Sequence, residues 1–204
     1  MAAPTRVKTV WFKKDGERSV DDIATALATT IWRMADRAID NLSKADFDII
    51  TPERGFKIIG ELTAFAVHYV DRLLFPRMDD AARGEVISAL GVRLAEIMED
   101  NILEFTEGAR DPDYDYEQGY IDMLNTRMTE YAHYDFPDDR PSFPALRYLS
   151  LQIREGMEAT DQTWIQDQIM DIEMPEILGT VKKQVDGFYP VKGEGGRVKG
   201  EGLA

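Results

Sequence analysis

Ser19–Leu42 reads SVDDIATALATTIWRMADRAIDNL, and its period decides the fold. Val20, Ala24, Leu27, Ile31, Met34, Ala35, Ala38 and Leu42 return every three or four residues, the spacing that lines up one face of an α-helix. Ser19 is an N-cap residue, and Asp21 and Asp22 place negative charge where the first turn exposes unpaired N–H groups.

The same grammar continues downstream. Thr51-Pro52-Glu53 predicts a second start, with threonine as cap and proline at the first helical position, running to about Phe75 before Pro76. Its apolar face is Ile59, Leu62, Ala66, Tyr69, Val70 and Leu73. A third helix is expected from Asp79 to Thr106, burying Ile87, Leu90, Leu94, Ile97, Met98 and Phe105, with Gly108 as its stop. A fourth covers Tyr114 to Tyr134 with Tyr120, Ile121, Leu124, Met128 and Tyr131 inward, and the proline-rich FPDDRPSFP of residues 136–144 ends it. A fifth begins near Ser142 and carries Leu146, Leu149, Ile153 and Met157. A sixth begins at Asp161 with Trp164, Ile165, Ile169 and Ile172, and Pro175 ends or kinks it before Ile177, Leu178 and Val181. No segment after residue 18 alternates as a strand would, so the expected fold is an all-α bundle of four long helices plus a shorter C-terminal helical pair.

The ends read differently. TRVKTVWFKK at residues 5–14 mixes β-branched and aromatic residues with basic ones and breaks at Asp15-Gly16, the pattern of an extended arm. At the other end VKGEG occurs at Val191–Gly195 and again at Val198–Gly202, a composition typical of a linker. The expected organisation is a basic arm over 1–18, a single helical domain over 19–186 and a Gly-rich tail over 187–204.

Charge follows that division. Residues 1–18 hold five Lys/Arg against two acids and residues 187–204 three against two, so both terminal arms are basic and the body is more acidic than the net −14 of the whole chain implies. An acidic body repels a phosphate backbone, which argues against nucleic acid as partner. No window approaches the roughly 18 apolar residues of a membrane span, and the N-terminus lacks the apolar run of a signal peptide, so a cytoplasmic protein without membrane contact is expected. The absence of cysteine excludes thiol catalysis, disulfides and thiolate metal sites.

Two constellations bear on function. Glu130 and His133 stand at the E-x-x-H spacing that carboxylate-bridged bundles use. With Glu61 and His68 on the second helix they form the one candidate ligand set for iron, manganese or zinc. Against it, at about 100° per residue Glu130 and His133 fall off the apolar face centred on Tyr120, Leu124 and Tyr131. No cofactor is the expectation and this metal set the alternative, with a ferritin-like oxidoreductase as its possible activity. Asp111, Asp113, Asp115 and Asp122 imitate a calcium loop, but Tyr116 replaces its essential glycine, and the stretch reads as a helix start.

The second constellation is aromatic. Tyr131, Tyr134, Phe136, Arg140 and Phe143 lie in YAHYDFPDDRPSFP, an amphipathic and proline-stiffened segment suited to protein recognition. Trp11 and Lys13 give the basic arm the same character. Neither a G-x-S-x-G elbow nor a glycine-rich phosphate loop is present. The sequence therefore predicts a non-catalytic binding or assembly protein whose partner is another protein or a second copy of itself, the arm of one copy meeting the acidic stretch Glu96–Asp122 of the other.

Overall fold

The computed structural model describes residues 18–49 and 51–190, and every regular element among them is helical. Helix α1 spans Val20–Lys44, with the Ser19 hydroxyl accepting from the Asp22 N–H at 3.1 Å. Helix α2 spans Pro52–Leu74 behind the Thr51 cap, and α3 spans Asp80–Phe105 behind Asp79, whose carboxylate accepts from the Ala82 N–H at 2.9 Å. All three starts lie where the sequence predicts them, because each cap satisfies a donor that the first turn would otherwise leave bare. Replacing Asp79 by alanine should cost about 1 kcal/mol in a denaturant titration, the usual worth of such a cap. The predicted arm, with Trp11 and Lys13, and the Gly-rich tail lie outside the described residues.

Helix α4 spans Tyr116–Tyr131 and stops three residues short of the predicted Tyr134. The His133 and Tyr134 N–H groups reach back only to the Glu130 and Tyr131 carbonyls, at 3.2 and 3.0 Å, a tightening that closes the helix. A 3₁₀ turn follows at Pro137–Asp139, with Asp138 and Asp139 in the left-handed region, so the chain cannot continue as α-helix. Helix α5 spans Phe143–Glu155.

The last segment is one rod in three parts: α6 at Ile165–Asp167, a π turn at Gln168–Glu173, and α7 at Met174–Phe188. Pro175 explains the middle part. Its ring would strike the carbonyl four residues back and it has no N–H to donate, and a wider turn ahead of it relieves both problems. The turn carries Glu173 inside, where its oxygens accept from Asn41 of α1 at 3.0 Å and Gln168 at 2.9 Å.

These helices form a bundle around α2, which touches α1, α3, α4, α5 and α7. Every residue from Ile58 to Val70 is buried, as expected of a helix that is apolar almost all round. Helix α4 comes close to α3 at Gly91, where a β-carbon would stand 3.0 Å from Leu124. Arginines fasten both ends of α2. Arg54 donates to the carbonyls of Gly156 and Asp48, at 3.1 and 2.7 Å, and Arg77 donates to the Tyr189 carbonyl and the Asp186 carboxylate, at 2.6 and 2.7 Å. Three residues assigned to buried faces are instead outside: Phe105 is 60% exposed, Trp164 66% and Ile172 55%. Phe105 is the last residue of α3 and Trp164 precedes α6, so each stands where no neighbouring helix covers it.

Candidate functional site

The polar centre of the bundle is Arg127 of α4. Its Nε and Nη2 each donate to Glu61 of α2 at 2.7 Å, a two-pronged pair with a carboxylate that is only 3% exposed. Nη1 donates to Glu130 at 2.7 Å and approaches Tyr148 of α5 at 3.5 Å, and Nη2 also donates to Gln152 at 2.8 Å. All five donors of the guanidinium thus meet protein acceptors from three helices. The Glu61 bonds raise the arginine's pKa, so the charge is permanent. Partial burial pushes Glu130 up, and the hydrogen bonds from Tyr148 and Arg127 outweigh it and hold that carboxyl below its ordinary value.

Beside this seam lies an aromatic box. His68 of α2 is buried with its ring centroid 6.5 Å from Phe65, 5.4 Å from Tyr131 and 5.8 Å from Phe136. Tyr131 stands edge-on to Phe65 at 4.9 Å and to Tyr148 at 5.6 Å. Burial, and secondarily the Arg72 charge, pushes His68 down to about 4, so it is neutral at pH 7. Neither its Nε2 nor the Tyr131 hydroxyl has a hydrogen-bond partner among the described residues.

Part of each set of residues marked in the sequence therefore meets in one place, with a different organisation. Glu61 and Glu130 meet, but on Arg127. His68 is enclosed by rings, and His133, past the end of α4, is exposed with its Nδ1 3.3 Å from the Glu130 carbonyl. Among the described residues no three His, Asp or Glu side chains assemble as a ligand set, so the Glu61, His68, Glu130, His133 grouping does not form. Glu61 and His68 are both buried, because α2 has no solvent face along Ile58–Val70. Arg127 was not anticipated. The signal for it was Glu61 itself, because an acid in the run IIGELTAFAVHYV requires a cation when that run is buried.

The aromatic segment is corrected in the same way. Tyr131 is fully buried, Tyr134 packs on Tyr148 at 5.7 Å, and Phe136 packs on His68 and on Tyr69 at 5.6 Å, so these rings serve the core. Only Arg140 and Phe143 of the set face outward, Phe143 with 64% of its surface free. The turn after Tyr131 folds the segment back onto α2 and α5 and so hides its first half. The acidic run before α4 behaves as a helix start, Asp115 accepting from the Gln118 N–H at 2.9 Å.

Open space lies on both sides of Phe56. One cavity of about 330 Å³ has the Glu61–Arg127 pair in its wall, with Lys57 and Tyr120. The larger, about 540 Å³, is a groove among α1, α2 and α3 lined by Trp32, Ile39, Ile49, Phe56, Ile59 and Phe105, with Asp36 and Glu104 at its rim. Phe56 and Phe105 meet edge-on at 6.4 Å across it. The groove lining contains no Lys or Arg, and α3 ends there with no basic residue in its last turn, so the negative end of its dipole is not offset. Among the described residues no helix is long and apolar enough to cross a membrane. No family model matches the chain, and comparison with curated proteins and with solved structures finds no match to it.

Proposed function

We propose that this chain is a non-catalytic binding or assembly protein, and that the groove among α1, α2 and α3 holds a basic, aromatic segment of its protein partner. The observation that carries this reading is the groove's chemistry: three aromatic rings and aliphatic side chains inside, carboxylates at the rim and no cation in the lining. An apolar lining with a few placed polar groups is the common form of a binding site. The sign of the rim favours a positively charged guest and would steer its approach. The groups that resemble catalytic or ligating residues point the other way. Arg127, Glu61 and Glu130 are bonded to one another, and His68 is walled in by rings, so these side chains hold helices together.

Fluorescence anisotropy with labelled decapeptides tests this. Basic aromatic peptides should bind more tightly than acidic aromatic peptides of equal hydropathy, with affinity falling as salt screens the rim. Glu104→Lys should weaken them by about tenfold, in the range of a lost charge pair plus a new repulsion. Equal binding of both peptide classes, or no effect of Glu104→Lys, would remove the groove from consideration.

A further inference from the structure

The groove's guest must be apolar enough to sit on Trp32, Phe56 and Phe105, and positive enough to face Asp36 and Glu104. The N-terminal arm of the chain is such a segment. Residues 5–14, TRVKTVWFKK, set Trp11 and Phe12 beside Lys13 and Lys14, with Lys8 and Arg6 upstream. Resting on the binding reading above, we propose that the occupant is this arm, supplied by a second copy of the chain, with Trp11 and Phe12 in the groove and the lysines at its acidic rim.

Two observations support the assignment. The first is complementarity of charge: the arm is basic, whereas the groove wall contributed by α3 belongs to the stretch Glu96–Asp122, in which Arg110 is the only basic residue. The second is reach. Trp11 lies about eight residues before Ser19, which spans at most about 26–29 Å when fully extended. From Ser19 to the groove residues Trp32 and Asp36 the path along α1 is about 20–26 Å. Trp11 of the same copy could reach Trp32, but Lys13 and Lys14, five to six residues before Ser19, extend at most about 16–22 Å and fall short of Asp36, whereas a second copy can dock with its Ser19 nearer the groove and bring rings and lysines to their places together. Reciprocal exchange is self-complementary and closes as a dimer.

The full chain is the test object, examined by sedimentation equilibrium from micromolar to submillimolar concentration. A reversible dimer is expected, and both W11A/F12A and D36K/E104K should raise its dissociation constant at least about tenfold, as removal of anchor residues does. Combining D36K/E104K with K8E/K13E/K14E should restore it. Because the chain has no cysteine, mixing the full-chain variants V10C and N101C under mild oxidation locates the arm: a disulfide between the two variants is expected in excess over either self-linked pair. A V10C/N101C double variant that links within one chain and stays monomeric would overturn the second-copy assignment. So would a wild-type chain that is monomeric at every concentration. If that monomer still binds an unrelated basic aromatic peptide at the groove, the earlier reading stands and only this one fails; if it binds none, both fail.

Discussion

Substituting Arg127 by methionine is expected to destabilise the fold by about 3–5 kcal/mol, the range for breaking a buried ion pair from one side. The reason lies in what remains. Glu61 is almost without contact with water and takes two of its hydrogen bonds from that one guanidinium. Without it, an uncompensated carboxylate stays in the middle of α2. Urea denaturation should report the loss as a lower midpoint, with far-ultraviolet circular dichroism still showing helix. Arg127→Met combined with Glu61→Leu should recover most of the lost stability, since replacing both partners by apolar side chains is often close to neutral. A double variant as unstable as the single one would mean that Arg127 acts through Gln152, Tyr148 and Glu130 rather than through Glu61.

Acid should weaken the fold through His68. Its folded-state value is about 4 against 6.5 for an exposed histidine, so below pH 6.5 the unfolded chain takes up a proton that the folded chain refuses. The stability conferred by the neutral ring is complete above pH 6.5 and is lost progressively as pH falls toward 4. Integrated over that window the effect approaches ~3 kcal/mol. His68→Phe keeps a flat ring against Phe65, Tyr131 and Phe136 but cannot titrate. Stability measured between pH 7.5 and 4.5 should fall less steeply in that variant than in the wild type, and the difference isolates His68 because every other group titrates in both. Parallel curves would show that the box admits the imidazolium.

Helix positions were legible because their signals are local. Ser19, Thr51 and Asp79 each cap the turn that directly follows, and a three-to-four residue apolar period needs no knowledge of the partner. The facing of α2 was not. A helical wheel divides residues into an inner and an outer face and so assigns Glu61 and His68 to solvent, a division that fails for a helix surrounded by five others. The end of α4 was also misplaced, since Tyr134 continues the apolar pattern while its N–H has already turned back to Tyr131. Arg127 could not be paired with Glu61 by spacing, because the two are far apart in the chain and meet only once α4 lies across α2. The groove escaped for a related reason: Phe105 fits a buried helical face, and its exposure depends on where α3 ends relative to α1 and α2.

The enclosure of α2 also bears on how this chain can change over evolutionary time. A helix with one wet side has positions at which substitution is nearly free, and most drift collects there. Between Ile58 and Val70 no such position exists, so each accepted change must match a neighbour on a different helix in volume or charge. Drift is thereby directed to the outer faces of the helices around it, α1, α3, α4, α5 and α7. Descendants of a common ancestor should diverge there first, and the pattern IIGELTAFAVHYV, together with an arginine able to meet its glutamate, should be the last trace of kinship to fade.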